Sequence, residues 1–255
     1  MMRSWTSPAA KPSPAFKIAP RRKGEDNLDW ILRQPGAPPS ATVVLLLGGT
    51  DPGSFRLRVA QSHIRHDLTP SSWSHAALLA SPIPKSLGQA RLHEIRLDPR
   101  QGFGFAPPHN GIQTGRLADY ASAEAYPNVA ILYLPVAAAL VEKQVDLLRR
   151  QRSLLDCVEL IVRWLAFVWG VGATSNPLFE ACGMPSAAML ESAVNATGFD
   201  LTPGLASRAS CPEAIWQAAK WWYSYQGEGA PPDSPDKARA VAIRGSWWVG
   251  QRLSR

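Results

Sequence analysis

Residues 71–80 read SSWSHAALLA, and residues 176–194 read NPLFEACGMPSAAMLESAV; these two stretches decide the fold that we expect. The first places His75 at the start of a short apolar run that is typical of a strand. The second places Cys182 just before an apolar-periodic run that predicts a helix, with Pro185 in its first turn. A strand histidine facing a cysteine at a helix start predicts a thiolate paired with an imidazolium.

The rest of the chain divides into strands and helices around these two stretches. Apolar runs predict strands at 42–48, 75–81, 91–98 and 128–136, and helices at 26–34, 55–68, 116–123, 137–151, 154–170 and 211–225. Several strands with segregated helices predict an α+β fold. We expect residues 1–25 to be a disordered basic tail, 26–226 the catalytic domain, and 227–255 a linker and C-terminal tail.

Composition narrows the classes of function. The 255-residue chain has a formal net charge of +7, much of it in the N-terminal tail. It has no zinc-finger spacing, aromatic RNA-recognition motif or long basic helix, so a nucleic-acid partner is not expected. Three cysteines, no apolar signal segment and no apolar run of about 18 residues favour a cytoplasmic location. The residues do not exclude export by a route without a signal peptide.

The proposed chemistry requires an activated thiol and a base. A free thiol has a pKa of about 8.5, and both an imidazolium and a helix N-terminus lower it. Cys182 would lie at such a terminus, among backbone N–H groups that can hold an oxyanion. His75 would pair with the thiolate and then protonate the leaving group. Cys157 lies in an apolar helix and is expected in the core, and Cys211 is expected at a helix start.

A third residue should orient the imidazole. If the strands at 75–81 and 91–97 form an antiparallel hairpin with its turn centred between Pro84 and Lys85, Glu94 stands opposite His75. A register shifted by one residue would offer His93 instead. We favour Glu94, because a carboxylate holds an imidazolium more strongly.

The segment SSWSHAALL resembles the strand that carries the catalytic histidine in the circularly permuted branch of the NlpC-related papain-like family. LHEIRL, NVAILYLP and the run TGFDLTPGLASRASCPEAIWQAA are similar to later parts of that family, so the resemblance covers about residues 40–225. It implies a circularly permuted papain-like fold, with an antiparallel sheet packed against the helix that bears the nucleophilic cysteine.

The resemblance also implies roles for individual residues. Cys182 would be the nucleophile, His75 the base and Glu94 the orienting group, and Asn176, six residues before the cysteine, is a candidate oxyanion donor. Known members of the family include wall-peptide amidases and acyltransferases of the lecithin:retinol type. Permuted members often read Cys-Ser-Glu at the nucleophile, whereas this chain reads Cys-Gly-Met at 182–184, which leaves the substrate open.

Three functions therefore remain as expectations. The first is a thiol hydrolase that cleaves an amide, peptide or isopeptide bond through a cysteine acyl-enzyme. The second is a phospholipase or acyltransferase that uses the same Cys-His pair on lipid esters, with the basic tail and the Trp-rich helix at 211–225 contacting a membrane. The third is a non-catalytic papain-like binding module. None of the three requires a cofactor, a metal or an obligate partner.

Overall fold

A computed structural model describes residues 16–36, 40–84, 86–97, 111–151, 155–170, 174–227 and 239–243. Most of the predicted basic tail, residues 98–110, and most of the predicted linker and C-terminal tail, at 228–238 and 244–255, lie outside this part of the chain. The side chain of Cys157 also lies outside it, so its expected place in the core is untested.

In the described part of the chain, seven strands form one sheet in the order β1-β7-β6-β2-β3-β4-β5. All neighbours are antiparallel except β1 and β7, which are parallel. The strands are β1 (Phe16–Ile18), β2 (Ala41–Gly48), β3 (His75–Leu79), β4 (Arg91–Glu94), β5 (Gln113–Arg116), β6 (Asn128–Ala137) and β7 (Arg239–Ile243). Together with the helices they confirm the predicted α+β class.

Two of these strands lie in segments that the sequence assigned to the tails. β1 falls within the predicted N-terminal tail, and β7 falls within the predicted C-terminal segment and pairs with β6. The ordered domain is therefore larger than residues 26–226. Runs as short as FKI and RAVAI carry too little pattern to predict a strand, and here the pairing partner supplies the backbone hydrogen bonds.

The described helices match most of the predicted ones. They are α1 (Asn27–Leu32), α2 (Pro52–Ala60), α3 (Ala138–Arg150), α4 (Leu155–Trp169), α5 (Pro185–Asn195) and α6 (Pro212–Gly227). α2 begins before the predicted residue 55 because Asp51 caps it, and it ends eight residues before the predicted residue 68. Where a helix was predicted at 116–123, β5 ends and a short 3-10 turn follows. No helix in the described ranges combines the length and apolar character needed to cross a membrane.

The sheet has two buried faces. On one face Leu45 and Leu79 pack with Trp30 of α1. On the other face Leu46 and Leu78 pack with the helices, among them Leu190 of α5. Because side chains alternate along a strand, His75 shares the first face, and β3 begins at this residue. The imidazole therefore lies at the end of a central strand, where a cavity can reach it.

Candidate functional site

The structure joins two of the predicted site residues directly. His75 Nε2 lies 2.7 Å from Glu94 Oε2, within hydrogen-bond distance. The predicted register is wrong by two residues, since Leu79 pairs with Leu92 and Leu78 with His93. A shift of two keeps every side chain on its face, so Glu94 reaches the imidazole diagonally.

The alternative third residue lies on the opposite face of β4. His93 Nδ1 is 3.1 Å from Arg149 Nη2 of α3. Burial, followed by the charge of Arg149, lowers the pKa of His93. Strand alternation thus separates His93 from His75 and supports the choice of Glu94 as the residue that contacts the imidazole.

Glu94 is fully buried and is held by several partners. Besides the contact with His75, the hydroxyl of Tyr120 donates a hydrogen bond to Oε2 at 2.6 Å, and Arg96 Nη1 lies 3.7 Å from Oε1. Burial raises the pKa of Glu94, but the hydrogen bond and charge of His75, the Tyr120 hydroxyl and the Arg96 charge outweigh it, so the net pKa is lowered. The carboxylate is therefore ionised at neutral pH.

Tyr120 and Gly115 shape the space around this carboxylate. The Tyr120 ring stacks on the His75 ring with centroids 5.9 Å apart, and burial raises the pKa of its hydroxyl well above the usual value. The hydroxyl therefore remains a donor. A Cβ at Gly115 would lie 2.0 Å from Glu94 Oε1, so only glycine leaves room for the carboxylate at this position.

These contacts assign a state to the imidazole. An ionised carboxylate can only accept hydrogen bonds, so Nε2 carries the proton that His75 shares with Glu94. In neutral histidine the other nitrogen, Nδ1, is then an acceptor. A buried carboxylate thus fixes the orientation of the His75 imidazole.

A cavity of about 550 Å³, which we call the His75 cavity, adjoins this pair. Its volume is in the usual range for small-molecule sites, about 300–1,000 Å³. Its wall includes Arg96 and Tyr120 as well as the first residues of α5, from Met184 to Ala187. The helix N-terminus that accompanies the histidine therefore begins at Pro185 and not at the cysteine.

Cys182 lies two residues before Met184, which caps α5. Its half-exposed Sγ is 3.8 Å from Arg163 Nη1 and 3.6 Å from the carbonyl oxygen of Glu180. The amides expected to serve as oxyanion donors are already paired, because Cys182 N donates to Pro177 O, and the next two amides donate to backbone carbonyls at 208 and 210. The predicted helix start is confirmed, but the cysteine belongs to the turn that precedes it.

Cys182 lines a different cavity of about 410 Å³, which we call the Cys182 cavity. Its wall is largely apolar and includes Ile112, Leu160 and Met189, with Arg163 and Glu180 beside the thiol. The two cavities have Ile95 and Pro185 in common. The structure thus brings His75 and Glu94 together, whereas Cys182 lines the neighbouring cavity.

The other predicted residues have structural partners. Asn176 Oδ1 accepts a hydrogen bond from Leu178 N, and its Nδ2 donates to Ala60 O, so this amide fastens a 3-10 turn to α2. Cys211 is fully buried directly before α6, as expected for a helix-start residue. Burial raises the pKa of the Cys211 thiol to about 12, which makes it unreactive.

Sequence reasoning missed Tyr120, Arg96 and Gly115 as parts of the site. Arg96 could have been found, because it stands two residues after Glu94 and so shares its face. Tyr120 and Gly115 reach Glu94 only through the fold of β5 and the turn after it, which the sequence did not predict.

The described residues contain no group of three or more His, Cys, Asp or Glu side chains that could hold a metal ion. Comparison with known proteins adds no identification, since no family model, curated protein or solved structure matches the chain.

Proposed function

We propose that the chain is a permuted papain-like module that binds a peptide group at His75 without covalent attack by Cys182. One observation carries the proposal: His75, held by Glu94, lines one cavity, and Cys182 lines another. A nucleophile and its base act together when they lie about 2.6–3.2 Å apart. Of the three functions expected from the sequence, the non-catalytic module agrees best with a histidine and a cysteine that line different cavities.

The groups around the His75 cavity suit a peptide group. Nδ1 of His75 accepts a hydrogen bond from a peptide N–H. The Ser186 and Ala187 amides are in the first turn of α5, where N–H groups have no intrahelical acceptor, and no described side chain caps this helix. They donate to a carbonyl oxygen. One peptide bond supplies both complementary groups.

The start of α5 also explains why binding would stop short of catalysis. Pro185 occupies the first helical position, where a papain-like enzyme carries its cysteine, and proline has no nucleophilic group. The next residue, Ser186, has a buried hydroxyl that donates to Ala76 O and accepts from Ile95 N at 3.3 Å. Its oxygen is held by the sheet and is not presented to a ligand.

The first experiment measures peptide binding directly. Pools of acetylated, amidated tripeptides are titrated into the full chain labelled with ¹⁵N, and shifts of the His75 ring and the Ser186 amide are followed by NMR. We expect both signals to move, and His75→Ala to weaken binding at least tenfold while far-UV circular dichroism stays unchanged. A tight binder that moves neither signal would contradict the proposal.

A second experiment asks whether the helix start, rather than the cysteine, is the reactive position. The double variant Cys182→Ala, Pro185→Cys puts a thiol in the wall of the His75 cavity. We expect iodoacetamide to alkylate this thiol about tenfold faster than Cys182 of the natural chain at pH 7, because a helix N-terminus and a nearby imidazole favour the thiolate. Adding His75→Ala should remove most of that advantage. Equal rates in all three proteins would count against the assignment.

A thiol hydrolase acting through Cys182 is the second candidate. The observation that favours it is Arg163 Nη1, which lies 3.8 Å from Sγ, where a guanidinium stabilises a thiolate. Its acyl donor would be a peptide, a protein isopeptide or a lipid ester. Activity-based acyl probes applied to the chain decide between the two: turnover that is lost in both Cys182→Ala and His75→Ala establishes the hydrolase and removes the binding-only proposal.

A further inference from the structure

The His75 cavity has an acidic region in its wall as well as the helix N-terminus. Asp51 lines it and caps α2, with Oδ1 accepting a hydrogen bond from Ser54 N at 2.9 Å. A Cβ at Gly53 would lie 3.1 Å from both Asp51 Oδ1 and Val168 Cγ1, so the carboxylate stands close to the end of α4.

The end of α4 adds groups that favour a cation. A helix C-terminus carries partial negative charge, and here Val168 O already accepts a hydrogen bond from Arg56 Nη1 at 2.7 Å. The next residue, Trp169, is 53% exposed and lines the cavity together with Tyr126. Aromatic faces attract ammonium and guanidinium groups. The Asp51 carboxylate and the exposed Trp169 ring thus lie near the end of α4, and the Tyr126 ring, which packs on Tyr120, contributes a second aromatic face to the wall.

Other parts of the same wall favour a ligand group with negative or partial negative charge. The first turn of α5 presents backbone N–H groups, and Arg96 also contributes to the wall. A ligand that matches the whole cavity has a carbonyl for the amides and a cation for the acidic region. A peptide with a basic side chain combines the two.

We propose that the ligand of the His75 cavity is a peptide with a lysine side chain beside the peptide group held at His75, and that Asp51 selects it. This inference rests on the proposed function and names its ligand class. Asp51 selects through charge, and its capping bond to Ser54 is a separate structural role.

The test uses matched peptides and a variant that keeps the cap. Acetyl-Ala-Lys-Ala-amide and acetyl-Ala-norleucine-Ala-amide have blocked termini and differ only in the ammonium group. Asparagine caps a helix as well as aspartate, so Asp51→Asn removes the charge and retains α2. Asp26→Asn is the control, because Asp26 caps α1 in the same way and is absent from the wall of the cavity.

We expect the natural chain to bind the lysine peptide about fivefold more tightly by calorimetry, as a partly exposed ion pair allows, with the preference shrinking in high salt. Asp51→Asn should equalise the two peptides, and Asp26→Asn should retain the preference. Equal binding by the natural chain, or a preference that survives Asp51→Asn, overturns this inference and leaves the proposed function standing. Failure of both peptides and of the tripeptide pools to bind overturns the proposed function itself.

Discussion

Two glutamates, Glu94 on β4 and Glu191 on α5, are both fully buried, yet their pKa values move in opposite directions. The carboxylate of Glu94 meets His75, Tyr120 and the charge of Arg96, and its pKa is lowered. Burial raises the pKa of Glu191 to about 7, because its hydrogen bonds to residues 201 and 202 do not offset burial and Asp200 adds a like charge.

The difference shows that partners, and not burial alone, decide the state of a carboxylate in this protein. Glu94 remains an anion and can orient an imidazole. Glu191 Oε1 accepts from Thr202 N at 3.2 Å, while Glu191 Oε2, like Glu94 Oε1, has no hydrogen-bond partner among the described residues. The neighbouring charges differ: Arg96 Nη1 lies 3.7 Å from Glu94 Oε1, whereas Asp200 adds a like charge near Glu191, so the ionised form of Glu191 is the less favoured one near neutral pH.

The largest expected effect comes from removing the well-partnered carboxylate. Glu94→Ala leaves the His75 Nε2–H and the Tyr120 hydroxyl buried without an acceptor, and we expect the free energy of unfolding at pH 7 to fall by about 3 kcal/mol. Chemical denaturation measures the change, with Glu124→Ala, an exposed carboxylate, as the control.

Acid should narrow the difference in unfolding free energy between the natural chain and Glu94→Ala. The folded pKa of Glu94 is lowered, so its stabilisation is present above the unfolded pKa of about 4.3 and is lost as the pH falls through the folded value. A loss at pH 7 no larger than that of Glu124→Ala would show that the Glu94 contacts contribute little to stability.

The second prediction concerns Glu191, whose effect on stability changes with pH in the opposite direction. Its folded pKa is about 7 and its unfolded pKa about 4.3, so the folded state binds more protons between these values and loses stability as the pH rises. Glu191→Gln mimics the neutral acid and should stabilise the fold by about 2 kcal/mol at pH 8. Unfolding free energies at pH 5 and pH 8 test this, and equal gains at both values would contradict the proposed titration.

The third prediction separates a hydrogen bond to a charge from one to a neutral group. Tyr120→Phe removes the hydroxyl that donates to the Glu94 carboxylate, and we expect a loss of about 2 kcal/mol. Tyr133→Phe removes a hydroxyl that donates to Pro35 O, and it should cost about 1 kcal/mol. Thermal or chemical unfolding of both variants measures the two losses of stability. A loss in Tyr133→Phe as large as that in Tyr120→Phe would contradict the prediction.

The smallest expected effect tests the space around Glu94. Gly115→Ala puts a methyl group 2.0 Å from Glu94 Oε1, so this end of the buried carboxylate must shift, at a cost of about 1 kcal/mol. The loss of the hydrogen-bonded His75 Nε2–H signal in NMR would report the displacement. Gly88→Ala is the matched control, because its added Cβ has no neighbour closer than 3.9 Å and should leave the signal unchanged.

Much of the candidate site could be predicted where it depends on local periodicity. The expected hairpin placed Glu94 on the face of His75 and left His93 as the alternative, and the observed register, two residues from the predicted one, excludes His93. The start of α5 at Pro185 followed from proline chemistry. The position of Cys182 could not be predicted. A difference of two or three residues in the start of a helix decides whether a side chain lies at the helix terminus or in the preceding turn.

The fold likewise has elements that the local sequence pattern predicts and elements that only pairing with distant strands explains. Long apolar runs predicted β2 and β6, and amphipathic periodicity predicted α3. The short strands β1, β5 and β7 carry little pattern of their own, and backbone pairing with neighbours distant in sequence makes them strands.

By itself, the sequence determined the α+β class and the faces of the central strands, and it narrowed the partner of His75 to Glu94 or His93, because each depends on residue spacing within one or two adjacent elements. Only the tertiary structure decided which of the two contacts His75, which cavity each group lines, which buried carboxylate is ionised, and that Cys182 belongs to the turn before α5. These features arise where elements distant in the chain meet, and there partners and distances determine the chemistry.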